Sequence, residues 1–118
     1  MDSTYHTALS FCQTSTRENG IDYALSHNIT ALLVPPDVGQ TYQIAAQAGY
    51  PMITIPASTN SKTSMPYGLA LMGTAWSEPN LVRWASAIED LGRETGKWGR
   101  TRPRWGGVRE RNLPVLNL

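Results

Sequence analysis

Two apolar runs in the middle of the chain set the pattern around which the other segments are arranged. The first, at 45–56, passes from small residues through a Gly-Tyr-Pro sequence at 49–51 into a run with β-branched residues. Because glycine accepts a positive φ and proline stops a helix, this order predicts a helix end, a tight turn and a buried strand at 52–55. The second run, at 66–73, has the length and continuity of another buried strand, which we place at 67–72.

The segments that precede these runs have first a helical and then a strand pattern. Apolar residues at helical spacing predict a helix over 4–19 and a second helical piece over 21–27, with Asn28 as its stop. An Asn-Gly pair interrupts them, so one kinked helix is the alternative to two helices. The apolar face of the first helix holds Tyr5, Ala8, Leu9 and Cys12, with Phe11 alongside. The all-apolar run at 31–34, ended by two prolines, predicts a strand that is buried on both faces.

Two connections and one further helix complete the middle of the chain. After a loop at 37–40, Thr41 can cap a short helix that ends at Ala48. The polar residues at 57–65 lie between the two core strands, and a connection of this length permits a hairpin.

The C-terminal third begins with the most regular helix pattern, at 78–94. Ser77 makes a good N-cap, and an acidic residue and a proline follow it in the first turn. The stripe expected to cover the sheet consists of Leu81, Trp84, Ala85, Ile88 and Leu91. Residues 97–118 lack periodicity and hold six of the ten Lys/Arg residues together with two tryptophans, which is typical of an extended arm.

These elements predict an α/β fold, with a small, mostly buried sheet of about three strands flanked by helices. We expect a globular domain at 1–96 and a basic, Trp/Arg-rich extended tail at 97–118. The length of 118 residues and the hydrophobic content of 41% fit one globular domain with a modest core.

The Gly and Pro positions of the two central runs resemble a known family. The pattern reads Ala48-Gly49-x-Pro51-x-x-Thr54-x-Pro56, then Pro66-x-Gly68-Leu69-x-x-x-Gly73. It resembles the C-terminal part of the amidase signature family, the serine hydrolases that cleave amide bonds, and the likeness runs from about Tyr5 to about Thr95. Many family members have a glycine soon after the proline that matches Pro56, where this chain has Ala57-Ser58, so the resemblance does not define the turn geometry there.

The resemblance implies a fragment of the amidase signature fold and descent from amide hydrolases, without the catalytic region. In the family, two serines and a lysine carry the reaction, with backbone N–H groups as the oxyanion hole. Those residues lie upstream of the part that is matched here, so none can be carried over and no catalytic residue is assigned. In the family the segment that matches Tyr42, Gln43 and Gln47 faces the substrate channel, which makes these three the candidate substrate-binding residues. A structural role for them is the alternative.

Other residue groups give weak chemical signals. Lys62 lies near Ser58 and Ser61, but a lysine base must be partly desolvated, and this segment reads as a solvated loop. His6 and His27 have no acidic or cysteine residue at ligand spacing, so no metal site and no cofactor are expected. His27 is better interpreted as a cation-capable residue at a helix C-terminus. Arg and Trp in the tail suit a protein interface, and single-stranded nucleic acid is the less favoured partner.

Charge and cysteine content exclude further classes of protein. The net charge of +1 gives no global attraction to nucleic acid or to a membrane. No run approaches the length of a membrane span and the N-terminus lacks a signal-peptide pattern, so the cytoplasm is the expected compartment. Cys12, the single cysteine, excludes an internal disulfide, and we expect it to be a packed residue on a helix face.

Three hypotheses for the function remain open. The first is a truncated or remnant amidase signature protein that does not hydrolyse amides alone. The second is a non-catalytic protein that dimerises or binds a partner. The third is an enzyme with a repurposed pocket at an oligomer interface. Because a sheet separated from the rest of the family fold would expose strand edges and apolar surface, we expect a homo-oligomer, most simply a dimer, or a complex with the missing amidase portion.

Overall fold

The computed structural model describes residues 2–36 and 38–96, which form a small sheet with helices packed on both faces. The helices are α1 (Ser3–Thr16), α2 (Asp22–Leu25), α3 (Thr41–Ala48) and α4 (Glu78–Thr95), and the strands are β1 (Leu32–Val34), β2 (Met52–Thr59) and β3 (Pro66–Met72). This arrangement confirms the predicted α/β class. The predicted tail at 97–118 lies outside the described residues, and the domain division at residue 96 stays a prediction.

The sheet is antiparallel, with the strand order β1-β3-β2. The central strand β3 pairs with β2 through the predicted hairpin, and Met72 lies opposite Leu32 on one side and Met52 on the other. A bulge between Pro56 and Ser58 shifts the register where the family glycine is absent. The strand therefore continues through this point and does not turn, because the extra residue is absorbed by the bulge.

Alternation along the strands divides the core into two layers. On one face of the sheet, Met72 packs with Ile21, Ala45 and Ala48, and Leu25, Leu32, Val34, Tyr50 and Met52 adjoin them. On the other face, Ile55 and Leu71 pack against Leu81 and Ala85 of α4. The helices before β2 thus cover one face, and α4 covers the β2 side of the other.

The stripe predicted for α4 is partly wrong. Leu81 and Ala85 are buried and Ile88 is half-buried, but Trp84 and Leu91 are 46% and 53% exposed. The buried position in the last turns is Gly92, which the hydrophobic pattern could not mark. Helical spacing defined a stripe wider than the area that the short sheet offers for packing.

Two further burial predictions are also corrected. The strand β1 is not buried on both faces: Leu33 is 55% exposed, because α4 lies over β2 and leaves the β1 side of that face uncovered. The apolar face predicted for α1 lies largely in solvent, where Tyr5 and Leu9 are exposed and Cys12 is half-buried. Among the described residues, α1 packs by its C-terminal end, at the buried Thr16.

The Asn-Gly interruption becomes one turn of π-helix, Arg17–Ile21, which joins α1 to α2 without a break. The structure thus favours the alternative of one helix over two separate helices, with the irregularity at the π-helical turn. Asn28 has the positive φ of 63° expected of a residue that ends a helix. The Nδ1 of His27 lies 3.0 Å from the carbonyl oxygen of Tyr23, at the C-terminal end of α2 as expected.

The cap prediction is right in position for Ser77 and wrong in position for Thr41, because Gln40 is the N-cap residue of α3, and it is wrong in chemistry for both. Ser77 precedes α4, but its hydroxyl donates to the carbonyl of Thr74 at 2.6 Å and makes no cap hydrogen bond. Thr41 is the first residue of α3, and its hydroxyl donates to the carbonyl of Pro35 at 2.7 Å. Each hydroxyl thus donates to a backbone carbonyl of the preceding loop and does not accept from an N–H group at the helix N-terminus.

Two glycines of the family pattern have different structural roles. Gly49 ends α3 with φ of 67°, and the Tyr50 N–H donates to the carbonyl of Ala45 at 3.0 Å, as in a Schellman motif. Gly73 is needed for close approach, because a Cβ at this position would overlap the Oγ of Ser77. These positions hold the turn after α3 and the loop after β3 next to each other.

Candidate functional site

A groove lies where the π-helical turn, the turn after α3 and the loop between β3 and α4 meet. Its volume is about 330 Å³, and it is lined by Arg17, Gly49, Tyr50, Pro51, Ala75, Trp76 and Glu78. The N–H of Gly73 donates to the carbonyl of Pro51 at 3.2 Å, which joins two walls of the groove. We refer to this feature as the Trp76 groove.

Arg17 is held in place from two directions. Its Nε donates to the carbonyl oxygen of Ala48 at 2.5 Å, at the end of α3, and its guanidinium carbon lies 5.6 Å from the centre of the Tyr50 ring. A charge-assisted hydrogen bond and a cation–π contact fix the orientation of this side chain. The half-buried guanidinium is thus oriented before any ligand or partner arrives.

Tyr50 is in turn fixed by a carboxylate. Its hydroxyl donates to Oδ2 of Asp22 at 2.6 Å, and the hydroxyl of Thr74 donates to Oδ1 at 2.7 Å. The hydrogen bond to Asp22, aided by burial, raises the pKa of the Tyr50 phenol above its usual value. Because loss of the phenol proton would place two negative charges side by side, Tyr50 stays protonated near neutral pH and acts here as a structural donor.

Trp76 is the most exposed of the large apolar residues described, at 91%. It has a positive φ of 61°, which is rare for a residue with a bulky side chain. Glu78 follows it in the first turn of α4, where a negative charge is favoured by the helix dipole. The described residues of the groove therefore present two aromatic rings, of Tyr50 and Trp76, together with one cationic and one anionic side chain.

This arrangement suits binding more than catalysis. The described residues that line the groove include no serine, cysteine, lysine or histidine, which leaves Glu78, an exposed carboxylate, without a side-chain nucleophile to activate. Tryptophan, tyrosine and arginine are the residues that most often dominate binding energy at protein interfaces. The chemistry available is stacking, hydrogen bonding and charge pairing.

The three residues predicted to bind substrate lie elsewhere on α3. Tyr42, Gln43 and Gln47 are all exposed, with the two glutamines one helical turn apart, and none of them lines the Trp76 groove. The structure thus places them on one short helix, and their role in substrate binding stays a prediction.

The sequence did not predict the groove residues, because Arg17, Asp22 and Trp76 are brought to the Gly-Tyr-Pro turn only by long-range contacts. The one local signal was the motif turn itself.

The loop with Lys62 is a solvated hairpin end, as its composition predicts. Oδ1 of Asn60 accepts hydrogen bonds from the backbone N–H groups of Lys62 and Thr63, at 2.9 and 3.3 Å, and all residues from 60 to 65 are exposed. The N–H of Asn60 donates to the carbonyl of Met65 at 2.8 Å and closes the hairpin. The Asn60 side chain thus fixes the backbone of the loop, and Lys62 is exposed to solvent.

Residues 2–36 and 38–96 have neither a cluster of metal ligands nor a membrane-spanning helix. In this part of the chain, no three His, Cys, Asp or Glu side chains come together as metal ligands would. His6 and His27 each contact a tyrosine ring, Tyr5 and Tyr23 respectively. None of the helices described there combines the length and apolarity needed to cross a membrane.

Comparison with known proteins confirms the family resemblance. A Schizosaccharomyces pombe protein named "Putative amidase" is 37% identical over 123 aligned residues, which cover 97% of this chain. This match is consistent with a fragment of an amidase signature protein. A fatty acid amide hydrolase of Arabidopsis thaliana is 32% identical over 74 residues, or 63% of the chain, and one of Oryza sativa is 49% identical over 43 residues, or 36% of the chain.

The matched region is a small part of each relative. The chain spans 20% of the length of the fission-yeast protein, 12% of the Arabidopsis protein and 7% of the rice protein. No family model matches the chain. No solved structure matches it either.

Proposed function

We propose that these 118 residues form a non-catalytic part of an amidase signature hydrolase and do not hydrolyse amides by themselves. Descent from amide hydrolases is supported by the relatives, two of which are named fatty acid amide hydrolases. Two serines and a lysine would be needed together in a desolvated site for the family reaction. The observation that carries the proposal is that Lys62, the one lysine among the described residues, lies in an exposed loop.

An amidase assay tests this proposal directly. The purified chain, shown to be folded by circular dichroism, is incubated with short primary amides and with fatty acid amides, and the released ammonia or amine is measured. The Arabidopsis fatty acid amide hydrolase is the positive control. We expect release no faster than in buffer.

The decisive controls are single substitutions in the hairpin. Turnover that Ser58→Ala, Ser61→Ala or Lys62→Met abolishes would refute the proposal, because these are the residues that could supply a nucleophile and a base. Ser86→Ala is the matched control, since Ser86 is an exposed serine on α4, away from the hairpin. Turnover that all four variants retain equally would indicate a contaminating hydrolase.

A role in association is the second candidate function, and exposed apolar residues favour it. Phe11, Leu33 and Trp76 are 73%, 55% and 91% exposed, and exposed apolar surface marks an interaction site where it is contiguous. The partner is either a second copy of the chain or the remaining portion of an amidase. Light scattering on the purified chain distinguishes the two, because a homodimer forms without any added protein.

The cytoplasm is the proposed compartment. A free, half-buried Cys12 is compatible with a reducing environment, in which thiols are kept unpaired. Fractionation of source cells, followed by detection with an antibody, tests this part of the proposal. Recovery of the chain from a secreted fraction would overturn it.

A further inference from the structure

The exposed indole of Trp76 identifies the surface through which association would occur. At 91% exposure it is nearly as accessible as in an unfolded chain, and the loop holds it at a φ of 61°. A residue in a sparsely populated backbone region costs free energy, and such residues cluster at functional sites. Trp84, at 46%, is half as exposed and lies in regular helix.

The charges beside Trp76 indicate what binds there. Arg17 and Glu78 line the same groove, and their charges are opposite. In a two-fold symmetric interface, a contact of residue i in one copy with residue j in the other is repeated as j with i, so the surface must complement itself. Arg17 of one copy can face Glu78 of the second copy, and the same contact is then repeated on the other side of the axis.

We propose that the Trp76 groove is a self-complementary interface through which two copies of this chain form a two-fold symmetric dimer. Each Trp76 packs into the groove of the opposite copy, flanked by two Arg17–Glu78 ion pairs. This inference deepens the second candidate function, association with a second copy, and rests on it. It is independent of the proposal that the chain does not hydrolyse amides.

The network behind the groove reduces the cost of forming this interface. Arg17 is held by the carbonyl of Ala48 and by the Tyr50 ring, and Tyr50 is held by Asp22. Both carboxylate oxygens of Asp22 accept a hydrogen bond, one from Tyr50 and one from Thr74, so Asp22 is fixed within this network. Groups that are already ordered lose less entropy when they bind.

The size of the groove predicts a weak dimer. We expect an interface formed by one tryptophan and one groove from each copy to bury less than the roughly 1,200 Å² that is typical of stable complexes. We therefore expect a mass that rises with concentration across a dilution series. Added salt should weaken association, because the ion pairs lie at the rim of the interface.

Light scattering across a dilution series is the primary test. Trp76→Ala should raise the dimer dissociation constant about 30-fold or more, as loss of a central tryptophan does at other interfaces. Trp84→Ala is the matched control and should leave the constant unchanged. A chain that remains monomeric at its highest soluble concentration, or equal effects of the two substitutions, would overturn the proposal.

Charge reversal tests the geometry. R17E and E78R should each be monomeric alone, because like charges then face each other across the axis. A mixture of the two variants should form a heterodimer, since both contacts again pair opposite charges. A mixture that stays monomeric although both variants give native circular dichroism spectra would refute the two-fold arrangement.

A further control addresses folding. Arg17 also binds the carbonyl of Ala48, so R17E can fail to fold. In that case the test uses E78R, which should be monomeric because the introduced arginine would face Arg17 of the other copy. Adding R17Q to E78R should restore the dimer, because glutamine keeps a hydrogen-bond donor and removes the repulsion between the two arginines. R83E, on the exposed side of α4, is the charge control and should dimerise like the unchanged chain.

Discussion

Replacing Tyr50 with phenylalanine would measure the network that supports the groove. The substitution removes one hydroxyl and leaves the ring that Arg17 contacts. The hydroxyl donates to the Asp22 carboxylate at 2.6 Å, and a hydrogen bond to a charged group contributes about 1.5–3 kcal/mol. Because Tyr50 and Asp22 are only partly buried, and Asp22 keeps its hydrogen bond to Thr74, we expect Tyr50→Phe to lower the free energy of unfolding by about 1–2 kcal/mol.

The pH dependence of this loss has a defined sign. The pKa of Tyr50 is raised in the folded chain, chiefly by its hydrogen bond to Asp22. A group with a raised pKa stabilises the folded state fully below its unfolded pKa of about 10, and this contribution disappears as pH rises through the folded pKa. The difference in the free energy of unfolding between the original chain and Tyr50→Phe should therefore be constant near neutral pH and should decrease above about pH 10.

Urea denaturation followed by circular dichroism, at a series of pH values, is the assay. Tyr23→Phe is the control, because Tyr23 is 63% exposed and its hydroxyl makes none of the hydrogen bonds found in the described residues. A loss below about 0.5 kcal/mol for Tyr50→Phe, within the range of ordinary surface substitutions, would refute the assignment of a stabilising hydrogen bond. A loss that does not change at alkaline pH would refute the raised pKa.

Three further predictions concern packing and backbone geometry, and denaturation measures each of them. Leu81→Ala should lower the free energy of unfolding by about 2–5 kcal/mol because Leu81 is 2% exposed, whereas Leu91→Ala should change it by no more than about 0.5 kcal/mol. Equal losses would mean that Leu91 is packed in the core, as its helical spacing predicts. Gly73→Ala should cost about 1–3 kcal/mol through overlap with the Ser77 hydroxyl, and less in a Ser77→Ala background; an unchanged cost there would refute that contact. Gly49→Ala should cost about 1–2 kcal/mol because of its positive φ, and Gly49→Asn should cost less; the reverse order would contradict the left-handed turn.

Much of the fold was predictable because its signals are local. The Gly-Tyr-Pro turn, the hairpin between β2 and β3, and the long helix α4 follow from residues close together in sequence. The burial of particular side chains was less predictable. Leu91 has the spacing of a core residue and is exposed, because a three-stranded sheet is too short to cover the last turns of α4.

The candidate site could not be read from the sequence. Arg17 reaches a carbonyl 31 positions away, and Thr74 reaches Asp22 across 52 positions. Nothing in the local pattern around Arg17 distinguishes it from a solvated arginine on a helix. The residues that the family resemblance indicated, Tyr42, Gln43 and Gln47, lie on the neighbouring helix but outside the groove.

The sequence alone determined the element types, the family relation and the positions of the turns, because backbone preferences and motif spacing act over a few residues. Only the tertiary structure decided which apolar residues are covered, since coverage depends on how far each partner element extends. It also decided that an arginine, a tyrosine, an aspartate and a threonine form one network. Such a network depends on distances between segments far apart in the chain, and the packing of the turn after α3 against the loop after β3 sets those distances.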